Sequence, residues 1–161
     1  MKKILLTLTF MLHCSLNYAL GSLTIFVDLS PAGSFEIKSK KVKGKAIKTS
    51  KGKFIAKGVS VKTKTLITGL ELRDGHLHEK LEVKKFKKIE ILDGEGANGK
   101  GSAVIRIKKI EKKVTFDFKE KEGNLVVTFP LNLNDFKFSG INYLGVGVKN
   151  MVKVEAIVPI K

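Results

Sequence analysis

From residue 103 onward the chain alternates apolar and polar positions with a period of two, the signature of strands with one face buried. Ala103, Ile105 and Ile107 alternate with Arg106 and Lys108, and Val114, Phe116 and Phe118 with Thr115, Asp117 and Lys119. Leu125, Val127, Phe129, Leu131 and Leu133 share one side of a run whose other side carries Val126, Thr128, Pro130 and Asn132. At the C-terminus Val152, Val154, Ala156, Val158 and Ile160 do the same against Lys153, Glu155, Ile157 and Pro159. Weaker runs at 24–29, 34–41, 54–62 and 87–92 complete about eight strands. Eight strands, each with one apolar face and joined by short turns, predict an all-β fold: an antiparallel sheet closed on a core. Residues 65–86 (TLITGLELRDGHLHEKLEVKKF) break this period and space their apolar residues as a helix does, so one or two short helices are expected there.

The run GEGANGKGS, residues 94–102, carries the spacing of two nucleotide-binding motifs. Gly94, Gly99 and Lys100 match a phosphate loop, but Gly101 stands where Ser or Thr should follow; Gly94, Gly96 and Gly99 spell a dinucleotide fingerprint. Both motifs need a helix after the glycines, whose N-terminus holds the phosphates. An alternating β run follows instead, so residues 93–101 are expected to be a glycine-rich hairpin loop.

The N-terminus alters the picture of compartment. Lys2 and Lys3 precede the apolar run Ile4 to Leu12, and Ala19-Leu20-Gly21 offers small residues for cleavage before Ser22, or after Ala19. Residues 1–21 therefore read as a secretory signal and 22–161 as one domain, periplasmic or secreted. His13 occupies the position where a lipidated cysteine wants a small residue, so Cys14 is expected to leave with the signal rather than carry lipid. The mature chain would then lack thiols, as suits an oxidising compartment.

Charge changes the list of partners. The net charge is +16, and loss of Lys2 and Lys3 leaves 29 basic against 15 acidic residues. Arg73 and Arg106 are the only arginines. Bidentate reading of bases favours the arginine fork, so no nucleic-acid partner is expected. A lysine field suits solubility and attraction to anionic surfaces, a membrane surface among them. Oligomeric state is left open, a homodimer being one option.

Chemistry is sparse. His76 and His78 with Asp74 and Glu79 form the one cluster resembling a metal site, but side chains two apart on a helix diverge by about 200°, and no zinc spacing is present. No G-x-S-x-G nucleophile occurs, and no catalytic residue, metal or cofactor is assigned. What stands out is hydrocarbon. The inward faces collect Phe35, Ile37, Phe54, Ile105, Ile107, Val114, Phe116, Phe118, Val127, Phe129, Leu131, Val152 and Val154. A small eight-stranded barrel either fills with such side chains or leaves room for one ligand, and composition does not choose between them.

Three blocks then carry a resemblance. Asp28, Ser34, Phe35 and Ile37 open it; Arg73, Asp74, His76 and Leu77 form its centre; Asp135, Phe136, Tyr143, Gly145, Val146, Val148, Val152 and Val154 close it. Together they resemble the YceI-like, polyisoprenoid-binding family over nearly all of 22–161. The resemblance implies an eight-stranded antiparallel lipocalin-like barrel with an apolar tunnel, and Arg73, Asp74, His76 and Leu77 as a structural motif. It implies a polyisoprenoid or other long-chain lipid as the bound partner, and no enzyme activity. The expected function is an exported lipid carrier or sequestering protein of the cell envelope. A ligand-free basic protein that binds anionic envelope polymers or a protein partner is the alternative.

Overall fold

The computed structural model describes residues 21–143 and 145–161; Cys14 and all of the expected signal segment except Gly21 lie outside the described residues. β1 (Gly21–Ser30) and β2 (Ser34–Lys43) form the first hairpin, and beyond a kink at Gly44 the chain continues as β3 (Ala46–Lys48). β4 (Phe54–Ala56) returns beside β3, and past a second kink at Gly58 it continues as β5 (Val59–Lys62). The single run expected over 54–62 is thus split into two strands. A 3-10 turn at Thr63–Thr65 and one α-helix, α1 (Glu71–Lys80), follow. Three hairpin-linked ladders then run through β6 (Lys88–Ala97), β7 (Lys100–Ile107), β8 (Ile110–Lys121) and β9 (Asn124–Asn132). A second 3-10 turn at Leu133–Phe136, the short β10 (Asn142–Tyr143) and β11 (Val146–Val148), and β12 (Met151–Pro159) complete the chain.

The ladders close a ring. β1 pairs with β2, β2 with β5, and β5 through β6, β7 and β8 to β9; β9 pairs with β12, and β12 returns to β1, every junction antiparallel. Eight strands therefore make the barrel, with β3–β4 extending its wall at one end and β10–β11 laid against the end of β1. The short β3, β10 and β11 were not expected from the sequence, because two or three residues show no period.

The glycine run is the main correction. The expected loop at 93–101 is strand almost throughout: β6 continues to Ala97, and the turn is only Asn98–Gly99, both with left-handed φ (+53° and +79°), the conformation of a two-residue hairpin. Gly96 and Gly101 sit within the ladder because aromatic rings lie over them. A Cβ on Gly96 would stand 2.7 Å from Phe118, and one on Gly101 would stand 2.4 Å from Phe116. The glycines mark close approach inside a barrel, not a flexible connection.

The antiparallel course sends the 63–87 segment, the Lys108–Lys109 turn and residues 133–150 to the same end of the barrel. There Leu66 and Phe136, each 1% exposed, lie with Leu81 and Phe138 in the core, and Lys108 ties the turn to Glu82 at 2.7 Å. Among the described residues the opposite end carries the tight turns at Thr49–Lys53, Asn98–Gly99 and Glu122–Gly123, with the start of β1 and residues 160–161 beside them.

Candidate ligand cavity

Alternation places one apolar residue in two on the barrel's inner face, and those residues do not fill it. A cavity remains with about 150 Å3 of room for the centre of a water-sized sphere, roughly ten times what one water needs. Its wall is hydrocarbon almost throughout. Of the residues expected to face inward, Phe54 from β4, Ile105 and Ile107 from β7, and Val154 from β12 line it. β8 adds Val114, Phe116 and Phe118, and β9 adds Val127, Phe129 and Leu131. Phe118 is the centre of an aromatic cluster, edge-on to Phe54 at 5.4 Å between centroids and tilted against Phe116 at 6.1 Å.

Phe35, Ile37 and Val152 do not line the cavity. Ile37 and Val152 are buried in the core, and Phe35 packs against it. These three lie toward the end that the 63–87 and 133–150 segments cover, where the same core includes Leu66, Phe136 and Phe138. The core packs that end, and the hollow runs from there toward the opposite end, past Phe54, Leu125 and Val158.

Several wall residues escaped the sequence reading. Val59, Val61, Ile89 and Ile91 line the cavity, and their V-x-V and I-x-I spacing carried the signal in shorter runs. Gly94 and Gly96 also line it, and a residue without a side chain gives no inward signal at all.

The Arg73-Asp74-His76-Leu77 motif lies on α1, outside the cavity wall. The Arg73 guanidinium stacks over the Phe35 ring at 4.3 Å. The Asp74 carboxylate accepts from the Thr68 N–H at 2.5 Å and from the Thr68 hydroxyl at 2.7 Å. Leu77 packs half-buried against the core, while His76 stands on the exposed face. His78 Nε2 lies 2.8 Å from the Leu66 carbonyl oxygen. Burial works to raise the Asp74 carboxyl. The Thr68 hydroxyl and N–H, aided by His78 and Arg73, outweigh it and hold the group below its ordinary range. These contacts tie the helix to the strand and loop beneath it. Among the described residues no group of three or more His, Cys, Asp or Glu is placed to hold a metal.

A family model, the YceI-like domain, matches residues 16–160. The chain belongs to the YceI-like family. Among solved structures, this YceI-like barrel is similar to a polyisoprenoid binding domain from Saccharophagus degradans implicated in plant cell wall breakdown. That likeness has a TM-score of 0.59 and 10% identity, over 86% of this chain and 92% of that one. It is also similar to BcnA of Burkholderia cenocepacia, with a TM-score of 0.63 and 10% identity, over 85% and 94% of the two chains. At that identity the likeness shows the YceI-like fold alone. No curated protein matches the chain.

Proposed function

We propose that this YceI-like protein is an exported lipid-binding protein that holds a polyisoprenoid or other long-chain apolar ligand, as a carrier or sequestering protein of the cell envelope. The observation that carries this reading is the hollow inside the barrel, walled by Phe, Val, Ile and Leu side chains. Each CH2 taken from water into such a wall contributes about 0.8 kcal/mol, offset by the ordering of a flexible chain. A tail held this way needs few polar contacts. A relative of the same fold is described as polyisoprenoid-binding, which supports the ligand class. The role is binding, with no reaction assigned.

Export would rest on residues 1–21, removed before Ser22 or after Ala19. N-terminal sequencing of the exported protein should find Ser22 or Leu20 first; Met1, or a lipid on Cys14, would contradict it.

Native mass spectrometry of protein purified from its own host tests the ligand. Wild-type protein and Asp117→Ala, whose side chain is on the outer face, should carry lipid, and Phe116→Asp should carry none. Equal lipid on both variants, or none on the wild type, would favour the alternative of a basic protein that binds anionic envelope polymers.

A further inference from the structure

The barrel wall is split along part of one junction. The β8–β9 ladder runs from Lys121↔Asn124 at the hairpin only as far as Asp117↔Thr128. Beyond it, residues 113–116 remain strand because β7 holds them, from Gly101↔Phe116 to Val104↔Lys113. Residues 129–132 remain strand because β12 holds them, from Val154↔Phe129 to Met151↔Asn132. The two edges form no ladder with each other. Pro130 lies in this stretch, and a residue without an N–H is tolerated in a strand where a ladder bond is missing.

The β2–β5 junction is also short, with pairs only at Val42↔Val61 and Lys43↔Ser60. There, however, the chain seals itself. Lys38 and Ile67 exchange two backbone hydrogen bonds of 2.7 and 3.0 Å, and the Ser39 and Thr65 hydroxyls lie 2.8 Å apart. The β8–β9 split instead opens onto a surface groove whose walls include Lys113, Thr115, Asn132 and Asp135. Val114 and Leu131 line both this groove and the inner cavity. Two aliphatic side chains therefore stand between a hydrocarbon hollow and a polar surface cleft.

We infer that the β8–β9 split is a lateral port: the apolar tail passes between Val114 and Leu131 into the barrel, and an oxygen-bearing headgroup stays in the groove. This deepens the lipid-binding reading and rests on it. The exposed Lys113 ammonium, the Thr115 hydroxyl, the Asn132 amide and the unladdered backbone N–H groups supply donors to headgroup oxygens. Asp135 sets a limit, because its carboxylate repels a headgroup of high negative charge.

The test uses the wild-type chain and a farnesol analogue with a diazirine beside the hydroxyl. Photo-cross-links are expected on residues 113–115 and 130–135. Cross-links at the Thr49–Lys53, Asn98–Gly99 or Glu122–Gly123 turns, or on α1, overturn the port while leaving lipid binding intact. A wild-type chain that takes up no probe overturns lipid binding and the port together. As a second measure, Thr115→Cys with Pro130→Cys, in a Cys14→Ser chain, staples the split when oxidised. Uptake and release should slow by about tenfold or more on oxidation, relative to the same double variant kept reduced, and return to that variant's own rate on reduction. A stapled protein that exchanges probe at the wild-type rate overturns the port.

Discussion

Asp74 sits in the first turn of α1, and its carboxylate turns back to hold Thr68 by two hydrogen bonds. Asp74→Ala should lower stability by about 1–2 kcal/mol, a range set by hydrogen bonds to a charged group near the surface. Urea unfolding at neutral pH measures it. The pH dependence has a definite sign. The folded-state carboxyl is held below its ordinary range, so its contribution is complete above about pH 4, the unfolded value, and fades as pH falls through the lower folded value. The stability gap between wild type and Asp74→Ala should stay level from neutral pH to about pH 5 and narrow below about pH 4. A gap that persists undiminished into strong acid would assign the loss to something other than the ionised carboxylate.

The β6–β7 hairpin shows how an element is shaped by what crosses it. Phe116 and Phe118 belong to β8, yet they decide which positions of β6 and β7 must be glycine. A Cβ at position 101 would meet Phe116 at 2.4 Å and the Glu95 carbonyl oxygen at 2.5 Å. Because the second contact is backbone, the strand cannot adjust by turning one side chain. Gly101→Ala should therefore cost about 1–3 kcal/mol, as overpacking does. Gly147→Ala, whose nearest neighbours would stand at 3.8 Å, should cost less. Denaturant midpoints of the two variants decide the matter, and equal midpoints would mean that no ring lies over Gly101. This element was misread in the sequence for the same reason. Glycine's usual meaning is a turn, and only the neighbouring strand reveals the other meaning.

At the scale of the whole molecule, the described residues carry 29 basic and 15 acidic side chains over a barrel with an apolar interior. An exposed apolar group, Ile67 (50%), Leu70 (56%) and Leu72 (65%), lies where the chain enters α1. Ile67 is paired with Lys38 across the sheet edge, so the two side chains share the outer face. An apolar group beside Lys38, on a chain with this excess of lysine, suits an anionic membrane, where each cation near the surface contributes about 1 kcal/mol. The protein should co-sediment with phosphatidylglycerol vesicles at low salt and much less with phosphatidylcholine vesicles. Raising ionic strength should release it, since the screening length is about 10 Å at 0.1 M salt. Leu70→Glu with Leu72→Glu should weaken that binding and leave lipid co-purification at the wild-type level. Equal binding to both kinds of vesicle would remove the electrostatic part of this account.

Period-two alternation fixed eight strands and the inward face of β7, β8 and β9, because on a strand the choice between core and solvent is made residue by residue in the chain itself. The three sequence blocks pointed to the YceI-like family, and the break at 65–86 marked the helical segment. Phe35, Ile37 and Val152 lay on inward faces as read, but whether an inward residue meets another side chain or a hollow depends on what covers that end of the barrel. The covering residues, Leu66, Leu81, Phe136 and Phe138, come from segments without a strand period. The groove at β8–β9 was likewise invisible, although Pro130 stood in plain view. A proline removes one donor, and only the closed ring of neighbours shows which ladder goes without it. Local pattern decides which way a side chain points; the hollow and the split depend on the distance between strands far apart in sequence, and that is set only when the sheet closes.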